Sequence, residues 1–326
     1  MKNITTNAEG EVLVISTGGT IVSVDHGFGA EPDAAAAHSV LGDAVACFAA
    51  RGLRCCTDFI FGEAGCDSSD IGPKEWAAIS AKINDAAAHG VKKILVIHGT
   101  DTMAFTAAWL ALAAPGAAVV LTGSQRTPEA SDFDGDSNLC GAAELLCSID
   151  EGVFIYFAGK NFRAPYVHKE NSSELDAYTQ SCDARALPEA PRFLLDAAAK
   201  VGSVPSEELL LLHVYPGVAP RFDGAAKIVL LEGYGAGNMQ QRLHEAFAAA
   251  YAAQKPVVIA ASSCVHGAKA PGLYAGVGIA GLAAKNFTVF SQGSYSLEFL
   301  IALSYLALAA EPSAPEKVLE LYLEKF

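Results

Sequence analysis

The chain has 326 residues, 52% of them hydrophobic and 18% charged, which is enough to bury a large core in two domains and too apolar for a disordered chain. Acidic residues outnumber basic ones 36 to 22, a formal charge of −14; that surface repels the phosphates of nucleic acid and anionic lipid, so no polyanion partner is expected. The uncharged stretch from Thr102 to Gln125 is long enough to span a bilayer, but Pro115-Gly116 divides it into an Ala-rich helix pattern and a short apolar strand, so no membrane span is expected.

The first residues, MKNITTNAEGEVLV, lack the basic start, apolar core and cleavage site of a secretory signal, so a cytoplasmic location is expected. The eight cysteines (47, 55, 56, 66, 140, 147, 182 and 264) contain no CxxC pair and read, in a reducing compartment, as buried free thiols.

In chain order, apolar runs at Val12 to Ser16, Ile94 to Ile97, Val119 to Leu121 and Val153 to Phe157 alternate with helical stretches, which predicts a mainly parallel sheet. One of these helices starts in Asp70-Ile-Gly-Pro-Lys-Glu75, with a capping Asp, a first-turn Pro and an acidic residue, and stops at Gly90. Leu187 to Pro205 holds three prolines without strand periodicity and reads as a linker. A second α/β pattern follows: Leu209 to Val214, Ile228 to Leu231, a helix around Arg242 to Ala253, and Val257 to Ala261. The fold class is therefore α/β in two domains, a larger N-terminal one over 1–186 and a smaller C-terminal one over 207–326, joined by 187–206, with the site contributed mainly by the first.

Ser16-Thr17-Gly18-Gly19-Thr20-Ile21 directly follows the first strand, at the sheet end where open α/β folds bind ligands. It lacks the three-glycine spacing of a dinucleotide loop, and no cofactor is expected. His98-Gly99-Thr100-Asp101-Thr102-Met103 leaves another strand into a helix; alone, Thr100 or Asp101 reads as an N-cap, but beside the first motif the balance shifts to chemistry. Asp67-Ser68-Ser69-Asp70 precedes the next helix with donors suited to a small carboxylate, or serves as a capping loop. His98 reads as structural, with no cysteine or serine nucleophile paired to it, and no ligand spacing calls for a metal.

Together TGGTI at 17–21, DSSD at 67–70 and HGTDTM at 98–103 resemble the bacterial type asparaginase family. The resemblance continues through TGSQRTP at 122–128, Asp134-Gly-Asp-Ser-Asn-Leu139, Tyr234-Gly-Ala-Gly-Asn238 and Gly272-Leu-Tyr-Ala-Gly276. DSSD, where the secreted branch usually has a Ser-Gln pair, makes the cytoplasmic type I branch the closer one. The resemblance implies hydrolysis of L-asparagine to L-aspartate and ammonia, with Thr20 as nucleophile and Thr100, Asp101 and Lys169 as a second hydroxyl–carboxylate–ammonium group. Lys169 is matched through Arg163 and Asp176-Ala177-Tyr178 around it. The implied substrate-binding set is Asp67, Ser68, Ser69, Thr100 and Asp101, with Asp67, Ser68 and Asp101 on the α-amino and α-carboxylate groups.

A threonine hydroxyl needs a neighbour to take its proton, and backbone N–H groups near Gly19 and Thr100 would stabilise the oxyanion, each donor worth roughly 2.7–4 kcal/mol. The implied assembly is a homodimer or homotetramer. Where the family commonly places a lid tyrosine, this chain reads Val24-Asp25-His26-Gly27-Phe28-Gly29, without one. The alternatives are a catalytically silent asparagine or aspartate sensor, and the transfer-RNA amidotransferase subunit of the same fold. The latter is disfavoured because about ten residues before Val12 leave no room for its extra N-terminal domain. Asparagine and glutamine differ by one methylene, worth about 1–3 kcal/mol of discrimination, so a glutamine side activity stays open.

Overall fold

The protein is described by a computed structural model over residues 11–25, 27, 29–181, 187–222, 224–235, 237–262, 264 and 279–326. It divides into two compact units, Met1–Thr179 and Gln180–Phe326.

The first unit contains β1 (Val12–Ser16), β2 (Ser23–Asp25), β3 (Ala30–Pro32), α1 (Ala34–Ala49), β4 (Cys55–Phe59), α2 (Pro73–Ala88), β5 (Lys93–Ile97) and α3 (Met103–Ala113). It continues with β6 (Ala118–Thr122), α4 (Gly135–Ser148), β7 (Gly152–Phe157), β8 (Lys160–Arg163) and β9 (Val167–Lys169), and β10 (Tyr178–Gln180) falls at its end, where the second unit begins. Its main sheet runs β4-β1-β5-β6-β7-β8, parallel except for the antiparallel β7–β8 hairpin. β1 and β5 are neighbours while the chain leaves β1 toward β4 on the opposite side. The strand order therefore reverses between β1 and β5, where such sheets open a crevice at their carboxyl ends.

The strands are continuous apolar runs because both faces are covered. On one face Val12, Val14, Leu95, Ile97 and Val120 pack against Val40, Leu41 and Phe48 of α1 and Leu139, Ala142 and Leu146 of α4. α2 and α3 pack on each other, and α3 lies against β6 and β7. The membrane-like composition of Thr102 to Gln125 has the same origin: α3 is buried nearly all round and β6 throughout. No helix among the described residues is long and apolar enough to cross a membrane.

Two local expectations need correcting. Asp70 does not cap α2; Asp67 caps the short 3-10 turn Ser68–Asp70, while the Glu75 carboxylate accepts the Gly72 N–H at 3.1 Å and Pro73 opens the helix. The cysteines are not all free and buried: Cys47 on α1 and Cys140 on α4 form a disulfide, and Cys55, Cys56, Cys66, Cys147 and Cys264 are half-buried or exposed thiols. The facing of α1 and α4 brings together two cysteines that are 93 residues apart, which their spacing in sequence does not reveal. Cys182 lies outside the described residues.

The second unit contains α5 (Arg192–Ala198), β11 (Leu209–His213), β12 (Ile228–Gly233), α6 (Gln241–Ala250), β13 (Val257–Ser262), α7 (Ile279–Ala284), β14 (Val289–Ser291), α8 (Leu297–Ala310) and α9 (Glu316–Leu319). Its four strands are parallel in sequence order, over a core that includes Val229, Leu231, Phe247, Tyr251 and Val258. The stretch read as a linker carries α5, whose buried Leu194, Ala197 and Ala198 lie on the side packed against α8. Its short apolar cluster seats a helix that starts directly after Pro191, while Pro205 lies beyond its end and opens a short 3-10 turn.

Candidate functional site

Three loops leaving the carboxyl ends of the first sheet are pressed together. Gly18 and Gly19 adopt φ of 111° and 94°, a region costly for other residues. A Cβ on Gly18 would overlap the Cys66 backbone, one on Gly19 the Gly99 backbone, and one on Gly99 the Ser68 side chain. Close approach thus requires all three glycines, and conformation also requires Gly18 and Gly19. Cys66 N–H donates to Thr17 O at 2.9 Å, and Thr102 Oγ1 to Ser68 O at 2.6 Å, tying the loops to one another.

These loops and the β2–β3 hairpin enclose a cavity of about 190 Å³ lined by residues that include Gly19, Thr20, Ser23, Ala30, Pro32, Asp67, Ser68, Thr100, Asp101, Gln125, Lys169 and Ser172. Thr20 is half-buried at the start of a 3-10 turn, Thr20–Val22, and Ser23 Oγ donates back to Gly19 O at 2.9 Å to hold that turn. Thr20, Asp67, Ser68, Thr100, Asp101 and Lys169, all singled out in the sequence, therefore meet on one wall system. Ser69 does not join them: it is exposed, and its backbone N–H donates to Asp67 Oδ1 at 2.8 Å.

Neither Thr100 nor Asp101 caps α3, whose N-cap is Thr102. Both instead receive Lys169, which arrives at the end of β9: Nζ donates to Thr100 Oγ1 at 2.8 Å and to Asp101 Oδ1 at 2.6 Å. The Lys169 side chain is only 16% exposed, so the ammonium is held away from most solvent, and these charge-assisted bonds fix its position. Asp176, close to Lys169 in sequence, pairs with Lys160 at 2.6 Å instead.

His98 is fully buried and structural. Nδ1 donates to Gly99 O at 2.8 Å, which leaves Nε2 to accept from Thr106 Oγ1 at 2.9 Å. Burial pushes its pKa down to about 4, only partly opposed by the Gly99 carbonyl. A neutral imidazole thus braces the turn that presents Thr100. Among the described residues, no group of three or more His, Cys, Asp or Glu side chains is placed to hold a metal ion. His26 and Phe28, in the loop where the family commonly places a lid tyrosine, and the Gly272 to Gly276 motif lie outside the described residues.

Several site residues had no assigned role in the sequence. Gln125, inside TGSQRTP, accepts from Thr100 Oγ1 at 3.1 Å. Buried Asp134 takes the backbone N–H groups of Gln125 and Arg126 at 3.0–3.1 Å. Asn138 Nδ2 donates to Gly123 O and to Asp134 Oδ2, both at 3.0 Å. Tyr178 OH donates to Thr100 O at 2.6 Å. The available signal was position: TGSQ leaves β6 as TGGT leaves β1 and HGTD leaves β5, three adjacent or near-adjacent strand ends in one parallel sheet.

Comparison with known proteins matches residues 11–191, more than half of the chain, to the family described as "Asparaginase, N-terminal". Among curated relatives, a glutamyl-tRNA(Gln) amidotransferase component of Pyrococcus abyssi is 29% identical over 70% of this chain and 57% of its own length. Its counterpart in Methanopyrus kandleri is 28% identical over 78% of this chain and 62% of its own. The chain thus spans just over half the length of these relatives. Among solved structures, the "probable cytoplasmic L-asparaginase" of Campylobacter jejuni superposes with a TM-score of 0.74 at 22% identity, covering 95% of this chain and 98% of that one. The thermostable L-asparaginase of Thermococcus kodakarensis gives 0.72 at 24% identity, covering 95% and 96%. These likenesses show a shared α/β fold with a large parallel-sheet unit followed by a smaller one. With the family match spanning the loops that build the cavity, the chain belongs to the asparaginase family.

Proposed function

We propose that this chain hydrolyses the side-chain amide of L-asparagine, releasing L-aspartate and ammonia, with Thr20 as the nucleophile. The observation that carries the reading is the bonding of Lys169 Nζ to both Thr100 Oγ1 and Asp101 Oδ1 on a cavity that Thr20 also lines. Thr20 Oγ1 would bond to the amide carbon while its proton, drawn to the lone pair that Thr100 Oγ1 turns to the cavity, passes to the departing amide nitrogen; the Lys169 ammonium would hold that oxygen in place. Asp101 would stabilise the Lys169 ammonium throughout. Backbone N–H groups near Gly19 and Thr100 would hold the oxyanion while the C–N bond breaks and ammonia leaves. Water then cleaves the threonine ester and releases aspartate. Asp67, Ser68 and Asp101 would receive the substrate's α-amino and α-carboxylate groups, with Ser69 acting only through the Asp67 turn.

The same reading puts the chain in the cytoplasmic type I branch, supported by Asp67-Ser68-Ser69-Asp70 in place of a Ser-Gln pair. It also makes the protein a homodimer or homotetramer, which sedimentation would distinguish. A second reading, a glutamine-hydrolysing amidotransferase component, is favoured by the names of the curated relatives.

Ammonia release from asparagine and from glutamine, by wild type and Thr20→Ala at equal concentration without added metal, tests the proposal. Release from asparagine that disappears in Thr20→Ala is the expected result. A kcat/KM higher for glutamine than for asparagine favours the amidotransferase reading. Binding of either amino acid without release makes the protein a sensor.

A further inference from the structure

Gln125 lines the cavity with Thr100 and Lys169, and both ends of its side-chain amide are committed. Nε2 donates to the carbonyl oxygens of Asn171 at 3.3 Å and Glu174 at 3.1 Å. Carbonyl oxygens only accept, so the amide cannot be turned over, and Oε1 is left facing Thr100. Oε1 is itself only an acceptor. At 3.1 Å it therefore takes the single hydroxyl proton of Thr100. The Thr100 oxygen then meets Lys169 Nζ, 2.8 Å away, through a lone pair. Asp134 anchors the other side of the arrangement by binding the Gln125 backbone N–H with both carboxylate oxygens at 3.1 Å.

We infer that Gln125 is a positioning residue for the hydrolysis proposed above, on which this inference rests: it fixes the direction of the Thr100 proton. A hydroxyl otherwise has three staggered wells and could turn its proton toward Asp101 or the substrate. With the proton held by Gln125, Thr100 Oγ1 stays an acceptor toward Lys169 and the cavity. The Nε2 bonds also tie the 171–174 loop, which brings Ser172 to the cavity wall, to the same hydroxyl.

The test is steady-state ammonia release from L-asparagine by wild type, Thr20→Ala, Gln125→Met and Gln125→Glu from about pH 5 to about pH 8, with circular dichroism on each variant. Gln125→Met keeps length but not the hydrogen bonds; its kcat should fall roughly 10- to 100-fold, as small misplacements of reacting groups do, with a much smaller change in KM. In Gln125→Glu the ionised carboxylate can accept from Thr100, but it sets lone pairs against the Asn171 and Glu174 carbonyls. Protonated, it donates on that side and accepts on the other, restoring the native pattern. Its kcat relative to wild type should therefore climb as pH falls through the carboxylate range, whereas the Gln125→Met ratio stays flat. Two flat ratios, or a folded Gln125→Met with kcat within about twofold of wild type, overturn the inference while leaving a Thr20-dependent asparaginase standing. A wild type that releases no ammonia removes the hydrolytic reading and this inference with it.

Discussion

Replacing Lys169 by Met removes the ammonium but keeps most of the aliphatic stem, so it separates the lysine's chemistry from its packing. Nζ makes two charge-assisted bonds, to Thr100 Oγ1 at 2.8 Å and Asp101 Oδ1 at 2.6 Å. A buried hydrogen bond to a charged group contributes about 1.5–3 kcal/mol. Asp101, however, is 67% exposed; water re-solvates its carboxylate when the lysine is lost, and an ion pair of this kind contributes only about 0–1 kcal/mol. Thr100 is buried and keeps Gln125 as partner. The net loss of stability should therefore be about 1–2 kcal/mol, a modest shift in a urea or thermal melt. Activity should fall much further, since a positioned proton-transfer group contributes about 10²- to 10⁴-fold, or about 3–5 kcal/mol of barrier. The assay pairs ammonia release with melting of the same preparation. A folded Lys169→Met that retains activity within about threefold of wild type, while Thr20→Ala is silent, would refute a role for this ammonium in the proton path.

Other outcomes follow from the same geometry. Gly19→Ala should lose both activity and about 1–3 kcal/mol of stability or more, because φ is 94° and the added Cβ meets the Gly99 backbone. Gly52→Ala, at φ 76° in open space, should melt lower with activity intact; equal activities in the two variants would contradict the close-approach argument. His98 has a folded pKa of about 4, against an ordinary 6.5, so the unfolded chain binds the proton first. Its contribution is complete above the ordinary value and is lost as pH falls toward 4, about 2 kcal/mol of it between pH 7 and pH 5. Urea melts of wild type and His98→Gln at the two pH values should differ by that amount, and identical pH dependence would show that the buried imidazole is not responsible. The Cys47–Cys140 disulfide closes a long segment of chain, so reductant should lower stability by about 2–4 kcal/mol. Cys47→Ala should be insensitive to reductant, and a wild type equally insensitive would argue against the bond.

The sequence by itself determined the class of fold, because short apolar runs such as Ile94 to Ile97 separated by helix-length stretches can bury themselves only in a parallel sheet covered on both faces. It also located the two principal loops, since Gly-rich and hydroxyl-rich residues directly after a buried strand fall where an open sheet binds ligands. The edge strands β4 and β8 were not legible, because Asp58 and Lys160 interrupt the apolar pattern where a strand has a neighbour on one side alone. Nor was the helix Arg192–Ala198 inside a proline-bounded stretch, whose burial depends on packing against α8. At the site, Thr100, Asp101 and Lys169 could be named by resemblance. Their bonding could not, because Lys169 is 68 residues from Asp101 in sequence and reaches it only through the return of β9. Gln125 and Tyr178 belong to the same class: each acts on Thr100 through a hydrogen bond whose direction depends on what lies at its other end. That partnering is a property of converging loops. Local propensity and spacing encode which segments form strands and where their ends lie; only the packed sheet decides which of those ends face one another.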